Sequence, residues 1–178
     1  MMTTAAASLR TRTPRWALDL ANVSTRGYAL ATVSSRPVPD FLVVGTKRGG
    51  TTSLFNYLLE HPGVLGLFPR PRERKSTDFF FKDQGRGERW YRSHFHSRVY
   101  RRRLAARLGY EPVGGEASPY YMWDPRVPAR VREVAPRVKS IALLRDPVER
   151  AWSHYHERRQ NGVEPLSFTD ALAREEAR

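Results

Sequence analysis

Three things are scarce in this chain of 178 residues. Cysteine is absent, which excludes disulfide bonds and thiolate metal sites. Long apolar runs are missing too: no stretch approaches the roughly 18 residues that a membrane-spanning helix requires, so no such helix is expected. Acidic residues are few, with 18 Asp and Glu against 31 Lys and Arg, and the net charge is +13. A field of that sign attracts polyanions, anionic lipids or small anionic ligands.

The first 38 residues differ in composition from the rest of the chain. They are rich in Ala, Ser, Thr and Arg, and Asp19 is their only acidic residue. They lack the central apolar segment of a secretory signal, although their composition also fits a mitochondrial transit peptide. We expect residues 1–38 to form a poorly ordered basic arm, because Pro14, Pro37 and Pro39 interrupt any long amphipathic helix. With neither a signal peptide nor a membrane span recognised, a cytoplasmic location is the expectation.

Residues 39–178 are predicted to form one domain in which strands alternate with helices. The apolar runs "FLVVG" and "KSIALLRD" are typical of strands buried on both faces, as in a parallel sheet. Helical patterns follow the first strand from Thr51 and recur in "VYRRRLAARLG", "RVPARVREVAP" and "PVERAWSHYHERRQ". The alternation predicts an α/β fold with a central, mainly parallel sheet flanked by helices.

A glycine-rich turn joins the first strand to its helix in "FLVVGTKRGGTTSLFNYLLEHP". Such a turn presents unpaired backbone N–H groups at the positive end of the helix dipole, which is an anion site. Its glycines let the backbone approach the ligand, and its basic and hydroxyl side chains add charge and donors. We therefore predict a bound phosphate or sulfate, held by Lys47, Arg48, Gly49, Gly50, Thr51, Thr52 and Ser53.

This turn is not the Walker motif of nucleoside-triphosphate enzymes. That motif ends in Gly-Lys-Ser/Thr, whereas here Thr51 follows Gly50 and the basic residues precede the glycines. A kinase-like or GTPase-like interpretation therefore loses its key lysine. The remaining alternative is a glycine turn that only connects two packed elements.

A second strand-turn-helix segment, "IALLRDPVERAWSHY", carries Arg145 at the end of its strand and Ser153 on its helix. An arginine at a strand end can bind a phosphate through two hydrogen bonds, and a serine hydroxyl can complete the site. Alternatively, Arg145 caps the turn through Asp146, and Ser153 is a surface residue. Two such anion sites indicate a ligand with two separated anionic groups, provided that the strand ends near Gly45 and Arg145 lie side by side.

Four segments resemble the sulfotransferase family that uses 3′-phosphoadenosine 5′-phosphosulfate (PAPS), and they occur along the chain in the same order as in the family. "GTKRGGTTSL" is similar to the family's 5′-phosphosulfate loop, and "LLRDPVERAWSHY" to its 3′-phosphate segment. "GEASPYY" resembles the Glu-Lys-Ser/Thr-Pro stretch of carbohydrate sulfotransferases, including the heparan type. "KSTDFFF" resembles their Lys-Glu-x-x-Phe-Phe segment. Together the matches cover about residues 41–178.

The resemblance implies a three-layer P-loop-like α/β fold and a PAPS-dependent enzyme that needs no metal. It would transfer a sulfuryl group to a hydroxyl or amine of a carbohydrate or small-metabolite acceptor, and acidic acceptors are among the candidates. Lys47 and Arg48 would stabilise charge on the sulfuryl oxygens and the leaving phosphate. Arg145 and Ser153 would hold the 3′-phosphate and so distinguish this donor from ATP.

Three positions depart from the family's motifs. Arg48 stands where many members have lysine, Ala117 replaces the lysine of Glu-Lys-Ser/Thr-Pro, and Ser76 replaces the catalytic glutamate. Because serine cannot act as a general base by itself, Asp78 and Glu116 are the candidates for that role. The family also runs on beyond the point where this chain stops, so residues 39–178 are interpreted as its N-terminal, cofactor-binding portion. The alternatives are a C-terminally truncated member and a minimal version of the family.

The alternatives to an active enzyme are an inactive PAP- or PAPS-binding remnant, a nucleotide kinase, and a basic nucleic-acid-binding module. No recognised nucleic-acid-binding motif is present, so no nucleic-acid partner is expected. An arginine-rich helix is either a solvated face or a dock for an acidic acceptor; its arginines are Arg98, Arg101, Arg102, Arg103 and Arg107.

Overall fold

The computed structural model describes residues 15–69 and 75–174, with side chains from residue 23 onward. The strands are β1 (Phe41–Gly45), β2 (Val64–Leu65), β3 (Val113–Ala117) and β4 (Lys139–Leu143). The α-helices are α1 (Arg15–Ala31), α2 (Thr51–Glu60), α3 (Gly87–Arg92), α4 (Arg98–Leu108), α5 (Val127–Val134), α6 (Pro147–Gln160) and α7 (Phe168–Ala173). Within the described ranges, none of these helices is long and apolar enough to cross a membrane.

The four strands form a parallel sheet in the order β2-β3-β1-β4. Strand β1 lies in the middle, with Phe41 opposite Gly115 of β3 on one side and Lys139 of β4 on the other. Because all the pairs are parallel, the carboxyl ends of the strands lie together at one end of the sheet. The predicted α/β fold with a mainly parallel sheet flanked by helices is confirmed.

Strand β1 divides the core into two apolar clusters, one on each face of the sheet, because successive side chains of a strand point to opposite faces. Leu42 belongs to a cluster with Phe79, Phe80, Tyr91 and other buried residues. Its neighbours Phe41 and Val43 pack on the opposite face with Phe55 of α2 and Ala117 of β3. These two clusters fix β1 and α2, and with them the turn between the two elements.

Strand β4 differs from the prediction for "KSIALLRD", which was a strand buried on both faces. The strand forms, but residues 139–142 are exposed, and 37% of Ile141 is accessible to solvent. The physical reason is its position at the edge of the sheet, where it pairs with β1 alone among the described strands. An apolar run therefore indicated the strand correctly but not its burial.

The N-terminal segment also differs from the prediction of a poorly ordered arm, as far as residues 15–38 are described. Helix α1 (Arg15–Ala31) contains no proline and ends ahead of Pro37, so Pro37 does not interrupt it. The segment packs on the domain, since Ala29, Val33 and Arg36 are buried. Residues 1–14 lie outside the described residues.

Arg36 anchors this segment although it is charged and only 1% exposed. Its guanidinium donates to the carbonyl of Phe95 and, at 3.0 Å, to the hydroxyl of Thr32. It also lies over the ring of Phe68, 4.4 Å from the centroid. Hydrogen bonds and a cation–π contact together offset the cost of burying this charge.

Replacing Arg36 with alanine should therefore lower the free energy of unfolding by about 3–5 kcal/mol, the sum expected for a charged hydrogen bond and a buried cation–π contact. Urea denaturation followed by circular dichroism measures the change. The control is Arg102→Ala on the exposed side of α4, where a shift within about 0.5 kcal/mol is expected. Equal shifts for the two variants would contradict the anchoring role of Arg36.

Candidate active site

The carboxyl ends of β1 and β4 lie side by side. Gly45 is opposite Leu143, and the N–H of Thr46 donates to the carbonyl of Leu143 at 3.1 Å. Gly45 has a φ of +152°, and a Cβ atom at this position would lie 2.4 Å from the Leu143 carbonyl oxygen. Glycine is thus required for the close approach, and the predicted neighbourhood of the two strand ends is confirmed.

The turn after β1 is held in a conformation that residues other than glycine rarely adopt. Gly50, which precedes α2, has a φ of +93°, and Arg48 has a φ of +70°. Such a conformation costs a non-glycine residue on the order of 1–3 kcal/mol and tends to occur at functional sites. Gly50 offers no side chain to cap α2, so the N–H groups of the first helical turn are left for a ligand.

The turn after β4 is organised by Asp146. Its Oδ1 accepts the N–H groups of Val148 and Glu149, both at 3.0 Å, and so caps α6. Asp146 is therefore occupied with the helix. Arg145 points toward the first turn, where its Nη1 donates to the carbonyl of Arg48 at 3.3 Å, and its guanidinium also pairs with Glu149 at 3.2 Å.

Arg48 joins the two turns through its side chain as well, because its Nε donates to Ser153 Oγ on α6 at 3.0 Å. Lys47 points toward the same helix and forms an ion pair with Glu157 at 3.1 Å. Both basic residues of the first turn are thus engaged with α6. The structure brings the two predicted anion sites into one continuous arrangement.

A cleft of about 530 Å³ opens over these turns, within the usual range for small-ligand sites. All nine residues predicted to bind the nucleotide line it: Lys47, Arg48, Gly49, Gly50, Thr51, Thr52, Ser53, Arg145 and Ser153. The three other lining residues are Lys75, Pro119 and Glu157. The sequence therefore predicted the lining well. The roles of these residues in binding and catalysis stay predictions.

Lys75, like Pro119 and Glu157, lines the cleft although the sequence did not predict it there, and it is the one of the three with a positive charge. Its Nζ donates to the hydroxyls of Thr51 and Thr52, at 3.2 and 2.5 Å. Burial lowers the pKa of Lys75, and the Asp78 carboxylate partly opposes that shift. The contact spans 24 residues, so spacing alone could not reveal it. The one available signal was the lysine that opens "KSTDFFF".

Asp78, a candidate general base, lies next to the end of β3. Its Oδ1 accepts hydrogen bonds from Ser76 Oγ at 2.7 Å and from Ser118 Oγ at 2.8 Å. Its Oδ2 lies 3.6 Å from Lys82 Nζ, and 21% of the side chain is exposed. Asp78 is thus fixed in place and partly accessible, although it is not among the cleft-lining residues. Its role as a base stays a prediction.

Glu116, the other candidate base, is completely buried. Its carboxylate accepts the N–H and hydroxyl of Thr77 at 2.6 and 2.7 Å, and the hydroxyls of Tyr91 and Tyr121 at 2.8 and 2.9 Å. Burial raises the pKa of Glu116, while these donors oppose the shift. The structure does not bring this carboxylate to the cleft: it ties the segment around Thr77 to β3.

The arginine-rich helix predicted as a possible acceptor dock, α4, carries two arginines that lie at the other end of the sheet. Arg101 forms an ion pair with Asp40, just ahead of β1, at 2.9 Å. Arg98 lines the same pocket as Phe41 and Lys139, the first residues of β1 and β4. Both arginines are therefore near the amino ends of the strands, whereas the cleft lies at the carboxyl ends.

Comparison with known proteins gives similarity to several sulfotransferases, although no protein-family model matches the chain. The chain is 33% identical over 145 residues to the membrane-associated sulfotransferase kil1 of Dictyostelium discoideum, covering 79% of this chain and 28% of that protein. It is 32% identical over 142 residues to human bifunctional heparan sulfate N-deacetylase/N-sulfotransferase 3, covering 74% and 14%. Human heparan sulfate glucosamine 3-O-sulfotransferase 6 is 34% identical over 120 residues, covering 67% and 30%.

A solved structure shares the fold. The crystal structure of a sulfotransferase from Alicyclobacillus acidocaldarius matches with a TM-score of 0.56 and 30% identity, covering 78% of this chain and 57% of that one. The chain thus spans less than a third of the length of these curated relatives, and little more than half of the solved structure. The resemblance seen in the four sequence segments is confirmed: this chain belongs to the carbohydrate sulfotransferase family.

Proposed function

We propose that this protein transfers a sulfuryl group from PAPS to a hydroxyl or amine of a carbohydrate or small-metabolite acceptor. The observation that carries the proposal is the contact between the two turns, in which Arg145 and Ser153 of the second turn and its helix meet Arg48 of the first. One nucleotide with phosphates at both ends can bridge such a pair of sites.

The donor groups of the cleft fit PAPS. The first turn offers N–H groups, hydroxyls and positive charge for the 5′-phosphosulfate. Arg145 and Ser153 offer a guanidinium and a hydroxyl for the 3′-phosphate. ATP carries no 3′-phosphate, so it would leave the second site unused, and the cleft should prefer the 3′,5′-substituted nucleotide.

PAPS supplies the sulfuryl group: the acceptor oxygen or nitrogen bonds to sulfur, and the bond from sulfur to the bridging oxygen breaks, leaving its electron pair on the phosphate. The chain's own residues stabilise the charge that develops. N–H groups of the first turn, with Arg48 and Lys47, donate hydrogen bonds toward the phosphosulfate. Holding the two ends of the nucleotide orients it for attack from one direction.

Asp78 is the base that we propose for the acceptor's proton. It is partly accessible, it is held by two serine hydroxyls, and it lies close to the cleft residue Lys75. The buried carboxylate of Glu116 accepts four hydrogen bonds, and these bonds would have to break before it could reach an acceptor. We therefore assign Glu116 to positioning the segment that carries Asp78.

The acceptor class rests on the relatives and on charge. Two of the relatives are named as heparan sulfate sulfotransferases, and heparan sulfate is an acidic carbohydrate. A net charge of +13 would attract such an acceptor. We propose a carbohydrate acceptor first, with a small metabolite as the alternative.

A second candidate function is nucleotide binding without transfer. It is favoured by Ser76, which occupies the position of the family's catalytic glutamate and uses its hydroxyl to hold Asp78. A sulfate-transfer assay with radiolabelled PAPS, over a panel of glycans and phenols, separates the two candidates. Transfer above the uncatalysed rate supports an active sulfotransferase. Nucleotide binding without transfer to any acceptor supports an inactive nucleotide-binding protein.

Calorimetric titration should show that adenosine 3′,5′-bisphosphate binds more tightly than ATP or AMP. Replacing Arg145 with alanine should weaken bisphosphate binding by roughly 10–100-fold, because a charge-assisted contact to the 3′-phosphate is lost. AMP, which has no 3′-phosphate, should bind the variant and the wild type equally.

The matched control for this titration is Arg102→Ala on α4, which should leave bisphosphate affinity unchanged. Equal or tighter binding of ATP by the wild type would overturn the donor assignment. Unchanged bisphosphate affinity in Arg145→Ala would contradict the assignment of the 3′-phosphate site.

The two candidate bases can be separated by isosteric amides. Asp78→Asn should lower the transfer rate by about 100-fold or more, as expected for loss of a general base, while bisphosphate affinity stays within about twofold. Glu116→Gln should instead lower the free energy of unfolding by about 1–3 kcal/mol, because an amide cannot accept all four hydrogen bonds. Transfer kinetics and urea denaturation are measured on both variants.

The reverse pattern, with full activity in Asp78→Asn and a stable but inactive Glu116→Gln, would refute this assignment and favour Glu116 as the base.

A further inference from the structure

The cleft has two ends, which lie over different strands. Ser153 and Glu157 belong to α6, which follows β4, and they line one end with Arg145. Pro119 follows β3, on the other side of β1, and lines the opposite end with Lys75. A nucleotide whose 3′-phosphate lies on Arg145 and Ser153 can therefore extend its other end over the first turn toward Lys75.

Lys75 is anchored at that second end by its main chain. Its carbonyl oxygen accepts the N–H of Ala117, the last residue of β3, at 2.7 Å. The neighbouring Thr77 is tied to Glu116 through its N–H and its hydroxyl. The main chain of Lys75 is thus attached to the carboxyl end of β3, and its side chain reaches from there to the start of α2.

The charge of Lys75 is balanced by hydroxyls rather than by a carboxylate. Its Nζ contacts Thr51 and Thr52, and it forms no ion pair with any carboxylate of residues 15–69 and 75–174. By contrast, Lys47 pairs with Glu157, and Arg145 pairs with Glu149. Lys75 can therefore turn toward an incoming anion without breaking an ion pair that the described residues supply, as can Arg48, whose side chain contacts the hydroxyl of Ser153.

We propose that Lys75 is a further catalytic residue, whose ammonium group contacts the sulfuryl oxygens of bound PAPS and stabilises their negative charge during transfer. This inference rests on the proposed function. The sulfuryl group passes to the acceptor, the bridging electron pair stays on the phosphate, and the acceptor's proton goes to Asp78. Lys75 keeps its own protons throughout and acts as a hydrogen-bond donor.

The position of Asp78 supports the same end of the cleft as the site of reaction. Asp78 lies three residues after Lys75 and accepts the hydroxyl of Ser118, which follows β3. A cation for the sulfuryl oxygens and a carboxylate for the acceptor's proton therefore project from one short segment. Acceptor attack requires the two groups close together.

The test compares two ligands that differ only in the sulfuryl group. Calorimetry is carried out with PAPS and with adenosine 3′,5′-bisphosphate on the wild type and on Lys75→Met, Lys75→Arg and Lys139→Met. Lys75→Met should weaken PAPS binding by about 10-fold, the loss expected for one charged hydrogen bond, and change bisphosphate binding by less than about twofold. The transfer rate should fall by about 100-fold, and Lys75→Arg should restore part of both losses.

Lys139→Met is the matched control, since Lys139 is exposed at the amino end of β4. It should behave as the wild type in all three measurements. Thermal melting of each variant shows whether a loss reflects unfolding, in which case Lys75→Arg supplies the decisive comparison.

Each of the other outcomes has a distinct meaning. Equal loss of PAPS and bisphosphate affinity in Lys75→Met would overturn the inference, because Lys75 would then be a phosphate ligand. Unchanged PAPS binding and rate would overturn it as well. If the wild type binds neither nucleotide, the proposed function itself fails.

Discussion

The pairing of β1 with β4 is the constraint on which the site depends. Gly45 allows the backbone of β1 to approach the carbonyl of Leu143 so closely that the two following turns touch. Arg145 then reaches the backbone of Arg48, and Arg48 reaches Ser153. In open α/β sheets, ligands bind outside the carboxyl ends of the strands where the chain order reverses, and β1 with its two neighbours forms such a place.

A second constraint fixes the opposite wall of the cleft. The buried carboxylate of Glu116 accepts hydrogen bonds from Thr77, Tyr91 and Tyr121. One residue of β3 therefore holds together the segment around Thr77, helix α3 and the turn after β3. Such a buried group stabilises the fold only while its hydrogen bonds are satisfied. The network keeps Lys75 and Asp78 at the end of β3 and so connects the aromatic core to the proposed reaction.

The sequence predicted those parts of the fold and site whose signals are local. The run "FLVVG" with its glycine turn, and "LLRDP" with its proline-started helix, sufficed to place nine cleft residues. Lys75 could not be found in this way, because its contact with Thr51 is made through the tertiary fold. The exposure of β4 and the packing of Arg36 were not predicted for the same reason. The first depends on the position of β4 at the edge of the sheet, and the second on contacts with residues far away in the sequence, neither of which a local pattern indicates.

The most direct test of the central claim is a crystal structure with adenosine 3′,5′-bisphosphate. One nucleotide should span both turns, with its 5′-phosphate on the N–H groups of residues 49–52 and its 3′-phosphate within hydrogen-bond distance of Arg145 and Ser153. A nucleotide bound elsewhere, or held by one turn with its other phosphate in solvent, would contradict the claim.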